Sequence, residues 1–209
     1  PERKGIEVVR LRLAHEIRPE SGRFVAELMA AVWPSQGMTN PERRSRIEAE
    51  LQEVCDPGER GARCGQIFQI LGLRRDDEVG GEPSEFKRES TLALLSNVLA
   101  KRSTAGIIVL FIDGEQWVPQ ELRRHLEYFL DGLNSHPVLV VRTSRESLAG
   151  ESTILTHEME LKGLGESEAL RMCWSLMDGV ENLDEHVCSV LLERSACNPG
   201  LLEDLVALL

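Results

Sequence analysis

The spacing of apolar positions changes several times along the chain, and each change marks an element. "IEVVRLRL" at 6–13 is short, β-branched and partly alternating, which predicts a strand. A helix is expected around 20–33, where Phe24, Val25, Leu28, Met29 and Val32 share a face. "NPERRSRIEAELQEV" at 40–54 opens with Asn-Pro, a capping and first-turn pair, and predicts a charged helix. Further helices are expected over about 59–71 and 85–102, separated by "RRDDEVGGEPSE" (74–85), a charged stretch with Gly and Pro that predicts an exposed loop. "GIIVLFID" (106–113) is continuously apolar, the pattern of a strand covered on both faces in a parallel sheet. An amphipathic helix at 118–133 leads to a second such strand, "PVLVVRT" (137–143), and a weaker alternating one, "TILTHEMEL" (153–161). Beyond "LKGLGES" only helical spacing remains, at about 166–178, 184–196 and 199–209. Strand, helices, strand, helix, strand and helical tail describe an α/β layered core, residues 1–160, followed by a helical lid starting at 161.

Length and charge narrow the function. At 209 residues the chain can bury a real core, and its net charge of −11 argues against a nucleic-acid or anionic-membrane surface. The longest apolar run, Ile107–Ile112, is too short for a membrane span, and the opening residues do not form a signal peptide. Five scattered cysteines form no CxxC pair, which predicts reduced thiols and a cytoplasmic location.

Ligands in such sheets sit beyond the carboxyl ends of the strands, and two opposite charges fall there. Asp113 ends an apolar run, where one carboxylate suffices for a hydrated Mg²⁺ whose other ligands are phosphate and water; the simpler role is a turn or helix cap. Glu115 can orient an attacking water or be a solvated loop acid, and Trp117 is expected to pack between loop and core. Arg145 can reach a γ-phosphate or pair on the surface with Glu146 or a similar acid. Asn198 and Pro199 open the last helix as N-cap and first helical residue.

"IIVLFIDGEQWVPQELRRHLEYFL" resembles the Walker B region of AAA-like P-loop ATPases of the STAND class, the regulatory modules of large LuxR-type regulators and NACHT-type sensors. Three further elements follow in the family's order: Thr143-Ser144-Arg145, then Leu161 and Leu164 with "ESEA", then "CNPGLLEDL". The resemblance spans roughly 106–209, and residues 6–33 are similar to the family's segment after the phosphate loop. It implies a three-layer P-loop NTPase-like parallel sheet with a helical lid and ATP or ADP held between them. Asp113 would serve Mg²⁺, Glu115 would be the catalytic acid, and Arg145, Asn198 and Pro199 would contact nucleotide.

The chain departs from the family in two ways. Gly114 stands at the family's second acid, which bears against hydrolysis, and no G-x-x-x-x-G-K-[ST] loop occurs. A phosphate loop upstream of Pro1 is therefore expected, and its strand would pair beside 137–142; a slow ATPase is expected only with that loop. The function implied is a nucleotide-binding regulatory switch in signal transduction, with other domains or chains of a larger protein and a homo-oligomer as partners. The alternative is a non-hydrolysing scaffold of the same fold acting by protein–protein contacts.

Overall fold

The computed structural model describes residues 5–13, 22–74, 88–147, 157–177 and 185–208. The chain divides into two compact units, one through Glu158 and one from Met159. The first is α/β, with a small three-stranded parallel sheet.

In chain order it contains β1 (Ile6–Arg12), α1 (Arg23–Val32), α2 (Asn40–Val54), α3 (Pro57–Ile70), α4 (Arg88–Ser103), β2 (Ile107–Asp113), a 3₁₀ turn (Glu115–Trp117), α5 (Gln120–Asp131) and β3 (Val138–Arg142). The strand order is β1-β2-β3, with Val8 opposite Val109 and Val109 opposite Leu139. Strands that advance in one direction through right-handed crossovers place their connecting helices on one face. In keeping with this, α4 and α5 pack on each other and α1 packs on both β1 and α4.

Val9, Leu11, Ile108, Leu110 and Ile112 point into that helix-covered side and are at most 3% exposed. The alternate residues point the other way, because strand side chains alternate between faces. There Ile6, Val8, Ile107 and Leu139 are 68%, 51%, 46% and 57% exposed. The expectation that 106–113 and 137–143 are covered on both faces is thus corrected. Of the three layers expected, the described residues supply the sheet and helices packed on its buried face.

Local chemistry explains the boundaries. Thr39 caps α2 through the Glu42 amide, and Glu42 returns the bond to the Thr39 amide at 2.7 Å, satisfying two otherwise orphaned donors. The α5 spacing of Leu122, Leu126, Phe129 and Leu130 buries one stripe against the core. Arg102, 10% exposed, ties three elements together: it donates to Glu50 at 2.6 Å, to Glu7 at 3.0 Å and to the Val32 carbonyl at 2.9 Å. Glu50 also accepts from the Trp33 indole at 2.6 Å and from Arg46 at 2.9 Å.

The second unit consists of α6 (Glu166–Leu176), α7 (Glu185–Ser195) and α8 (Pro199–Val206). Its core is Ala169, Cys173, Met177, Cys188, Leu191 and Leu202. Ala196 and Cys197 take left-handed backbone angles, φ 48° and 56°, to turn the chain between α7 and α8. The expected loop at 74–85 lies outside the described residues except for Arg74, as do 153–156 of the third expected strand. Residues 157–161 are exposed and belong to no strand.

Candidate functional site

The carboxyl ends of β2 and β3 meet in a hydrogen-bonded rim. The Thr143 amide donates to the Ile112 carbonyl at 2.9 Å, and the Glu115 amide donates to the Thr143 carbonyl at 2.8 Å, so the ladder runs on past both strands. On the other side the Leu13 amide donates to the Asp113 carbonyl at 2.9 Å. The backbone at Asp113 is therefore held by both neighbouring strands.

The Asp113 side chain is held as well. The Thr143 hydroxyl donates to Asp113 Oδ1 at 2.8 Å and accepts from the Gly114 amide at 3.0 Å. Arg12 Nε stands 3.6 Å from Asp113 Oδ2, but the two side chains are 87% and 43% exposed, so solvent screens the pair. Asp113 lies in the same alternating row as Ile107, Val109 and Phe111 and so belongs to the open face of the sheet. Its carboxylate is accessible and aimed, the condition for a first ligand to a hard cation. Among the described residues no three acid, His or Cys side chains converge as a metal cage. A single carboxylate joined by water and phosphate oxygens is a donor set that a hydrated Mg²⁺ would accept.

Gly114 is required by this turn. Its φ is 84°, and a Cβ there would lie 2.9 Å from the Leu13 carbonyl oxygen and 3.0 Å from Trp117 Cδ1. An acid at this position would strain the backbone and crowd the β1 end.

Glu115 is 2% exposed and faces inward. Arg142, whose side chain is 9% exposed, grips both of its oxygens, with Nε on Oε2 at 2.6 Å and Nη2 on Oε1. Arg142 Nη2 also donates to Glu127 of α5 at 2.7 Å. Burial alone would make Arg142 easier to deprotonate; its bonds to Glu115 and the charges of Glu115 and Glu127 outweigh this and raise its pKa. The solvated-loop reading of Glu115 is therefore corrected: the loop folds it under the rim, where a bidentate fork offsets its lost hydration.

The Arg145 guanidinium lies over the Trp117 ring, 5.6 Å from its centroid, and the residue is exposed at the same rim as Asp113. Glu146, one of the acids expected to pair with Arg145, sits 3.9 Å from Arg123 and is largely exposed. Trp117 packs against the core, as expected. Asp113 and Arg145 thus stand at one rim of the first unit, where the turn after β2 meets the segment after β3, with Glu115 buried beneath. Asn198 and Pro199 belong to the second, where Asn198 accepts from the Leu201 amide at 3.2 Å and Pro199 begins α8.

Sequence reasoning missed Arg142, Glu127 and the bridging role of Thr143. The signal for Arg142 was available, because a charged residue ending an apolar run is the feature that singled out Asp113. No protein-family model, curated protein or solved structure matches the chain.

Proposed function

We propose that this chain is the nucleotide-binding core of a signal-transduction ATPase module, a switch that takes ATP or ADP with Mg²⁺ at the carboxyl rim of its sheet. The observation that carries the reading is Asp113, aimed by Thr143 from the neighbouring strand and presented on the open face. In this reading Arg145 answers the terminal phosphate, and the helical unit, with Asn198 and Pro199 at the start of α8, is the lid.

The open face supports the same reading. A strand added beside β3 whose chain runs back towards β1 by a right-handed crossover puts its helix over that face. Such a strand–helix unit would cover Ile6, Val8, Ile107 and Leu139 and bring its connecting loop to the Asp113 rim. A helix N-terminus arriving there supplies the amide donors that bind phosphate. When bound, the nucleotide and its Mg²⁺ supply the charge difference between two states; Asp113, Thr143 and Arg145 provide contacts that sense it.

Mg·ATP titration of the full-length protein tests the reading. Asp113→Ala is expected to weaken Mg-dependent binding at least about tenfold, equivalent to about 1.4 kcal/mol. Arg145→Ala is expected to reduce the preference for ATP over ADP. Unchanged affinities in both variants would end the assignment.

A second reading, a scaffold of the same fold that does not hydrolyse nucleotide, is favoured by the Arg142 clamp. With both oxygens of Glu115 gripped by a buried arginine, that carboxylate is a poor base for water. Turnover that falls in Glu115→Gln while nucleotide affinity holds would favour the switch with hydrolysis; no turnover in either protein would favour the scaffold.

A further inference from the structure

The small core of the second unit uses sulfur where hydrocarbon would pack as well. Of the six buried apolar residues described there, two are cysteines, Cys173 on α6 and Cys188 on α7, 0% and 1% exposed. A third, Cys197, packs against them from the turn before α8. Cys173 and Cys188 thus share one buried cluster across the packed α6–α7 pair. None of the three is joined in a disulfide.

We propose that Cys173 and Cys188 form a redox modification site, a thiol pair that closes to a disulfide when a low-molecular-weight disulfide is in excess. The two sulfurs lie on facing helices, so the bond would pin α6 to α7. In the first step one of the two cysteines, as thiolate, attacks a sulfur of glutathione disulfide. That S–S bond breaks and one glutathione leaves as a thiolate, which takes up a proton. The second cysteine then gives its proton to solvent and attacks the protein sulfur of the mixed disulfide, forming the Cys173–Cys188 bond and expelling the second glutathione. Two electrons pass from the thiol pair to the reagent, and two glutathiones are released.

Burial keeps the pair poised. It holds the Cys173 thiol above its ordinary pKa, so the closed helical unit reacts slowly, and reaction proceeds through local opening of α6 from α7. The ordinary role of buried free cysteine as a small apolar filler is the competing outcome.

The test incubates the folded full chain with glutathione disulfide and reads intact mass and peptide maps after blocking free thiols. The expected result is a loss of about 2 Da, one cross-linked peptide pair joining Cys173 to Cys188, and recovery of the original mass with dithiothreitol. Cys197→Ser should leave that bond intact, whereas Cys173→Ser and Cys188→Ser should each abolish it. Thiols that stay free under conditions that oxidise a model dithiol would overturn the proposal. So would a bond that consistently recruits Cys197 in place of either partner.

Discussion

At the scale of single residues, the rim shows two acids two positions apart given opposite fates. Asp113 falls on the open side of the alternation and stays half exposed, held by a neutral hydroxyl. Glu115, past the Gly114 turn, is carried beneath the sheet end to meet Arg142. Removing one member of a buried pair leaves the other without hydration or partner, which costs more than the pair itself contributes. Arg142→Met is therefore expected to destabilise the first unit by about 3–5 kcal/mol. Adding Glu115→Gln should recover a substantial part of that loss. Urea unfolding of the single and double variants measures both, and a double variant no better than Arg142→Met would show that the clamp is not the main term.

At the scale of elements, the joint between β1, α1, α2 and α4 depends on Glu50 remaining charged. Burial pushes the Glu50 pKa up, but bonds and charge from Arg102, then Arg46 and Trp33, bring it below its ordinary 4.5. A carboxyl depressed in the folded state contributes stability above its unfolded pKa and loses it as pH falls through the lower folded value. Unfolding midpoints should therefore drop as pH falls below about 4.5. Glu50→Gln should flatten this dependence while lowering stability at neutral pH, because Arg102 loses its closest charge. A variant with the same acid slope as the parent would place the acid sensitivity on other carboxylates.

At the scale of the whole molecule, the sheet of the first unit has two unlike faces, and substitutions should separate them. Leu110 is fully buried under the helices, so Leu110→Ala is expected to cost about 2–5 kcal/mol. Leu139 is 57% exposed on the other face, so in the 209-residue chain by itself Leu139→Lys should change stability by less than about 0.5 kcal/mol, whereas in a longer protein carrying the proposed strand–helix unit it should cost more. The same change breaks an apolar patch that favours association, and light scattering should report less self-association. If Leu139→Lys instead costs as much as Leu110→Ala, the face is covered in solution.

The sequence determined by itself whatever depends on near neighbours. Alternation gave β1, helical spacing gave α5, and Asn40-Pro41 and Asn198-Pro199 placed helix starts within a residue. The abrupt end of "VLFID" singled out Asp113. Composition could not say that the apolar run at 106–113 has one exposed side, because hydrophobic residues on both faces read alike whether or not a second layer covers them. Nor could it pair Arg142 with Glu115, 27 residues apart, or seat Arg145 on Trp117. Those contacts follow from strand order and register, which bring two strand ends to one rim. Local periodicity reflects hydrogen bonds and packing within a few residues; the partners of a buried charge or thiol are chosen only when distant elements meet.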